Sequence, residues 1–261
     1  MKRTEGFVTT KHGKVWYEIV GEENDTLLVL IHGGPGYPHD YLEPLEDLAE
    51  DRSVIFYDQL GCGNSDITTD PTQWTLEYFV SELQTLINSL KLEKYHILGQ
   101  SWGSAVAVAF ALTKPNGLVS VILSDPYIST SHWVKDAERL LEELPSNMQD
   151  ALKKSDKASE EYKAASKEYY FRFVNRFSSK PEAVIRADKK MNKEIYRYMW
   201  GFEEFSPSGT LITLDLTPQL SEIQVPVLLL CGRYDEATPE TASEFQSLLP
   251  NAQLVVFEES L

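Results

Sequence analysis

Cysteine is nearly absent. The 261 residues hold two, Cys62 and Cys231, which are too few for a disulfide framework. Neither stands in a Cys/His cluster with metal-ligand spacing, so both read as small packing residues and no metal or other cofactor is expected. Long apolar runs are also missing. No stretch approaches the roughly 18 consecutive apolar residues of a membrane span, and the N-terminus Met1-Lys2-Arg3-Thr4-Glu5-Gly6 lacks the apolar core of a signal peptide. The expectation is a soluble, cytoplasmic protein. Positive charge is scarce, with 24 Lys and Arg against 40 Asp and Glu for a net charge of −16. A polyanion repels other polyanions, so neither nucleic acid nor an anionic membrane is an expected partner, whereas a cationic group would be tolerated. Internal repeats and low-complexity segments are absent too.

What is present is a chain that is 42 % hydrophobic, long enough to bury a large core. Its charge is unevenly spread. Residues 131–216 hold 15 basic and 15 acidic residues, which leaves 9 basic against 25 acidic in the remainder. The texture changes at the same places. Before residue 131 and after 216, short apolar runs alternate with amphipathic ones: Gly6–Thr10 and Lys14–Val20 as a hairpin turning at His12-Gly13, then Thr26–Ile31, Ser53–Tyr57, Lys94–Leu98 and Leu118–Leu123 as strands. Leu76, Phe79, Val80, Leu83, Leu86, Ile87 and Leu90 fall at helical spacing behind Thr75 as N-cap. Val225–Leu230, a helix Pro239–Leu249 and a strand Gln253–Phe257 resume the pattern. Strand–helix alternation predicts an α/β fold with a mostly parallel, doubly wound sheet. Between them, 131–216 is charged, aromatic and helix-favouring, and Pro145, Pro181 and Pro207 divide it into three or four helical pieces. The expected organisation is a core of 1–130 and 217–261 with a helical cap, 131–216, inserted over the carboxyl edge of the sheet.

Gly99-Gln100-Ser101-Trp102-Gly103 stands between a buried strand and the Ala-rich helix Ser104–Leu112. Strand, tight turn and helix are the setting of a nucleophile elbow, whose flanking glycines let the turn approach its neighbours and push the serine above the sheet. Two further glycine-rich turns, His32–Gly36 and Asp58–Gly63, also follow strands, and Asp235 follows a late one. In a parallel sheet the carboxyl ends share an edge, so His32–Gly36, Ser101 and Asp235 should converge. That convergence suits acyl transfer, with backbone N–H groups of Trp102 and Gly34 placed to meet a developing oxyanion.

Four motifs, His32-Gly-Gly-Pro-Gly36, Tyr57-Asp-Gln-Leu-Gly-Cys-Gly-Asn-Ser65, Gly99-Gln-Ser-Trp-Gly-Ser104 and Cys231-Gly-Arg-Tyr-Asp-Glu236, are spread over nearly the whole chain. Together they make the sequence resemble the α/β-hydrolases of the proline iminopeptidase (prolyl aminopeptidase) family. The resemblance implies a serine aminopeptidase acting on a small peptide or amino-acid amide with a free N-terminus. It implies Ser101 as nucleophile, Asp235 as the acid of the triad, and Gly34 with Trp102 as the oxyanion hole. Glu236 and Glu204 stand where acidic residues would hold the substrate's ammonium, with Glu203 an adjacent competitor for the second role. Tyr37, Trp102, Tyr127 and Trp133 are candidate walls for a proline ring, although aromatics near a cap more often serve packing.

The resemblance also implies a histidine after the last strand, and here the chain departs from it. None of the five histidines follows Asp235. His12, His32, His39, His96 and His132 each have a structural reading, with His132 the least poor substitute. The expectation is therefore a C-terminally shortened aminopeptidase, competent in design and poorly active as it stands, with apolar surface exposed on its last strands. An amino-acid amidase or esterase of the same fold and a non-catalytic binding protein on a hydrolase scaffold are the competing readings.

Overall fold

The computed structural model describes residues 1–21, 26–154 and 156–260. Eight strands form one twisted sheet: β1 (Arg3–Thr9), β2 (Lys14–Val20), β3 (Leu27–Ile31), β4 (Ser53–Tyr57), β5 (Tyr95–Gln100), β6 (Leu118–Ser124), then, after a separate small hairpin β7 (Gly201–Glu203)/β8 (Ser206–Pro207), β9 (Val227–Gly232) and β10 (Ala252–Phe257). Their order across the sheet is β1-β2-β4-β3-β5-β6-β9-β10. β1 and β2 run antiparallel, and β2 is antiparallel to β4; every other pair is parallel. The strand positions inferred from apolar runs match to within a few residues.

The helices are α1 (Leu76–Ser89), α2 (Trp102–Leu112), α3 (Thr130–Glu142), α4 (Ser146–Lys153), α5 (Glu160–Phe173), α6 (Glu182–Lys190), α7 (Lys193–Met199) and α8 (Pro239–Leu248). Period-two alternation divides the central strands between two faces. Val29, Ile31, Ile55, Tyr57 and Ile97 pack with Phe79, Leu83 and Leu86 of α1 and with α2, while Leu28, Leu30, Val54, Phe56 and Leu98 pack with Leu42 and Ala49 of the 3₁₀ segment His39–Glu50. Thr75 caps α1 by accepting from the Tyr78 N–H. No described helix is long and apolar enough to cross a membrane.

Among the described residues between β6 and β9 there are five α-helices and the β7/β8 hairpin, where three or four helical pieces are expected from the prolines. Pro145 and Pro181 do stand at helix starts, immediately before α4 and α6. Two further breaks come from polar caps: Ser159 accepts from the Tyr162 N–H to start α5, and Asn192 accepts from the Glu194 and Ile195 N–H groups to start α7. Pro207 separates no helices; it lies in β8. This segment carries a small core of its own around Leu140, Tyr162, Tyr169, Phe173 and Phe205. On β10, Val255 and Phe257 are exposed.

Candidate active site

Ser101 joins β5 to α2 with φ 52° and ψ −120°, a left-handed-side conformation that costs an L-residue energy. Its N–H donates to Ser124 O at 2.9 Å, which holds the turn against the end of β6. The flanking glycines are required by space. A Cβ on Gly99 would stand 2.2 Å from Gly103 O, and one on Gly103 would stand 2.1 Å from Ile31 O, both backbone atoms that cannot step aside. The elbow is thus pressed against β3, the strand that ends in the His32–Gly36 turn. Within that turn Gly34 has φ 113°, and a Cβ there would meet Gly36 N and Tyr37 N at 2.7 Å.

The turn is held by a buried polar network. Gln59 N–H donates to His32 Nε2 (2.9 Å), the His32 Nδ1–H donates to Gly33 O (2.9 Å), and Gln59 Nε2 donates to His32 O (2.9 Å). The indole N–H of Trp102 donates to Gln59 Oε1 at 2.9 Å. Loop and elbow are therefore tied through one glutamine. Burial depresses the His32 imidazole to about 4, so it stays neutral and serves as a strut. Trp102 is the first residue of α2, where backbone N–H groups have no partner inside the helix.

Three spaces meet at Ser101, and among the described residues it is the one that lines all of them. The first, about 390 Å³, also touches Asp125, Asp235 and Glu236. The second, about 580 Å³, also touches Gly34, Glu204 and Glu236. The third is a crevice of about 10 Å³ between Gly34, Trp102, Glu204 and the aromatic trio Tyr127, Trp133 and Trp200. Those three rings contact one another edge-on, with centroids 5.2–5.8 Å apart. Ser101, Asp235, Gly34, Trp102, Glu204 and Glu236 are thereby gathered around one point.

The acids are unusually placed. Glu236 is only 8 % exposed and its Oε2 has no hydrogen-bond partner. Burial, reinforced by Glu204, Asp235 and Asp125 and partly offset by the neighbouring Tyr169 hydroxyl, pushes its carboxyl well above the ordinary range. Glu204 is pushed up to about 7 by burial, with the neighbouring Tyr196 hydroxyl partly offsetting it. Its backbone is clamped on both sides, since its N–H donates to Tyr170 Oη (3.2 Å) and its carbonyl accepts from the Trp133 indole N–H (3.0 Å). Glu203 turns elsewhere: its carboxylate accepts from Tyr162 and Ser166 hydroxyls, both at 3.3 Å, and it lines none of the three spaces.

Two residues at the centre receive no role in the motif-based reading, although one of them, Gln100, lies inside the elbow motif. Asp125, at the end of β6 with φ 48°, lies within hydrogen-bond reach of Asp235. Both carboxyls are raised, each first by burial, and two adjacent carboxyls cannot both ionise without a cation. Gln100 bridges, accepting from Tyr41 Oη (2.6 Å) and donating to Asp125 Oδ2 (3.2 Å). The signal for Asp125 was available, because it follows β6 as Asp235 follows β9.

The imidazoles are held away from Ser101. His12 packs on Tyr78, His39 is 2.7 Å from Asp58 and stacks on Trp16, His96 is 2.6 Å from Ser120 Oγ, and His132 is 3.2 Å from Glu244. His132, the least poor substitute by position, lines none of the three spaces. His39, Asp40 and Glu43 cluster closely enough to hold a metal ion. One atom of each is engaged, His39 Nδ1 by Asp58, Asp40 Oδ1 by Lys190 at 2.8 Å and Glu43 Oε2 by Arg186, while Asp40 Oδ2 is buried without a hydrogen-bond partner.

Parallel sheet, glycine-framed elbow and upstream glycine loop define an α/β hydrolase, and the family model for the alpha/beta hydrolase fold matches residues 26–261. The proline iminopeptidase of Heyndrickxia coagulans is 43 % identical over 98 % of this chain and 91 % of its own length. The crystal structure of a Mycobacterium smegmatis proline iminopeptidase superposes with a TM-score of 0.91 at 33 % identity, covering 97 % of this chain and 90 % of that one. That of VinJ gives 0.93 at 33 % identity, covering 98 % and 91 %. The chain belongs to the proline iminopeptidase family, and it is a hydrolase.

Proposed function

We propose that the chain is a serine aminopeptidase that releases N-terminal proline from short peptides, with residues 131–216 as the cap that closes the site and Ser101 as nucleophile. The observation that carries this reading is the unpartnered, buried carboxylate oxygen of Glu236 on the wall it shares with Ser101. A buried acceptor without a donor is costly, and a substrate ammonium supplies the missing donor and charge together. Glu204, clamped through its backbone, is the second acid for that ammonium. A simple ester has no group for either. The crevice beside Gly34 has room for about one water, so the pyrrolidine lies against its aromatic mouth.

In the reaction, the Ser101 Oγ–C bond forms as the hydroxyl proton leaves, and the carbonyl oxygen takes up negative charge against the N–H groups of Gly34 and Trp102. The scissile C–N bond then breaks as the leaving amine gains a proton, and water releases proline from the acyl-serine. Asp235 is the acid that orients and balances an imidazole base. Because none of the chain's five imidazoles lines the spaces at Ser101, the 261-residue chain turns over slowly, and imidazole added to solution takes the proton. The test is release of the chromophore from prolyl 4-nitroanilide with and without imidazole. Expected is weak activity that imidazole raises and Ser101→Ala removes. Undiminished release by Ser101→Ala, or equal cleavage of the N-acetylated substrate, would refute the reading.

A further inference from the structure

Around the 580 Å³ space the charge is sorted by depth. Glu236 is buried and Glu204 partly buried, while three cations on the same wall, Lys180, Lys193 and Arg197, are exposed. Glu236 and Glu204 therefore form the floor, and the rim carries these three cations together with one exposed acid, Asp188. Lys180 is already neutralised by Asp188 at 2.6 Å, and Asp188 also accepts from Tyr37 Oη at 2.9 Å. The other two differ. Lys193 and Arg197 stand four residues apart on one face of α7, with Tyr196 of the same helix also lining the space. Among the described residues neither has a carboxylate partner. Arg197 instead lies 5.3 Å from the ring centroid of Phe202, which is itself on the rim. Two uncompensated cations above two carboxyls, in a chain with a net charge of −16, make a site with one negative and one positive end. A space of this volume suits a small ligand, and a zwitterion is the ligand that satisfies both ends.

We propose that Lys193 and Arg197 form a subsite for the C-terminal carboxylate of the peptide, so that the site selects short peptides with both termini free. This rests on the aminopeptidase reading for the amine end alone. The guanidinium, held over the Phe202 ring, donates N–H groups to the carboxylate, and Lys193 adds a point charge. Longer peptides and C-terminal amides lose this end of the interaction while keeping the floor.

Calorimetric titration of the full chain carrying Ser101→Ala, with Pro-Gly-Gly, its C-terminal amide and its N-acetyl form, tests the proposal. The acid is expected to bind about 5- to 10-fold more tightly than the amide at low salt, with the ratio shrinking as salt rises. Adding Lys193→Gln and Arg197→Gln together should weaken the acid to the level of the amide and leave the amide unchanged, which also shows that the variant is folded. Equal binding of acid and amide, a ratio that survives both substitutions, or no binding of any of the three overturns it. Failure of the amine reading shows separately, as equal affinity for the N-acetyl peptide; the acid-to-amide ratio and its loss in the double variant then still decide the carboxylate subsite.

Discussion

Replacing Glu204 with Gln should strengthen the fold and weaken the site, in amounts the geometry sets. Burial raises this carboxyl from 4.5 to about 7. The folded chain therefore holds a proton that the unfolded chain releases, and stability falls as pH rises from 4.5 to about 7. At 1.36 kcal/mol per pKa unit the fall is about 3 kcal/mol. Glu204 faces an open space and is only partly buried, so water screening brings the expected value to about 2 kcal/mol. Gln keeps the shape and removes the titration. Thermal unfolding should show no difference between the two chains at pH 4, and a midpoint about 4 °C higher for Glu204→Gln at pH 8.5. On the proposed aminopeptidase reading, the same change deletes one charge facing the substrate ammonium. Titration with a prolyl peptide at pH 7.5 should lose about 30-fold in affinity, since breaking a desolvated charge pair costs about 2 kcal/mol or more. A lower midpoint at pH 8.5, a shift equal at pH 4 and 8.5, or an unchanged affinity would each refute the reasoning.

Glu82 offers the same linkage away from the site. It is buried on α1, its Oε2 accepts from Leu60 N–H at 3.1 Å while Oε1 has no partner, and burial lifts it to about 8. Glu82→Gln should leave the unfolding midpoint unchanged at pH 4 and raise it progressively up to pH 8, with activity unaltered; a midpoint that falls at pH 8 would mean the carboxylate is paired. At the elbow, Ser101→Gly relieves the positive φ of Ser101, and after the entropy cost of glycine should stabilise the chain by about 1 kcal/mol. Ser101→Ala, which keeps the Cβ, should not; calorimetric scans of both variants separate backbone strain from loss of the hydroxyl.

Much of the fold was legible because its signals are local. Apolar runs locate the strands of the main sheet, Thr75 marks the start of α1, and the glycines around Ser101 announce a turn that no Cβ would fit. The helical segment was less legible. Its prolines are visible as helix starts, but the breaks at Ser159 and Asn192 depend on side-chain caps that also occur in loops. Of the candidate site, residues inside glycine motifs were readable by position. Asp125, and Gln100 within the elbow motif, were given no role, because their importance comes from Asp235 and Tyr41, each far away in the chain.

The sequence by itself determined the α/β architecture, the strained elbow and the acidic balance, since periodicity, steric demand and charge belong to residues wherever they end up. Only the tertiary structure separates Glu204 from Glu203 in space. Adjacent residues in a hairpin face opposite ways, and only packing against Trp133 and Tyr170 turns the first toward Ser101 and leaves the second to Tyr162 and Ser166. It also decided that Asp125 meets Asp235, that Glu236 keeps one oxygen without a partner, and that none of five histidines reaches Ser101. Those are properties of distance and burial, and they come into being only when the strand ends are brought to a common edge.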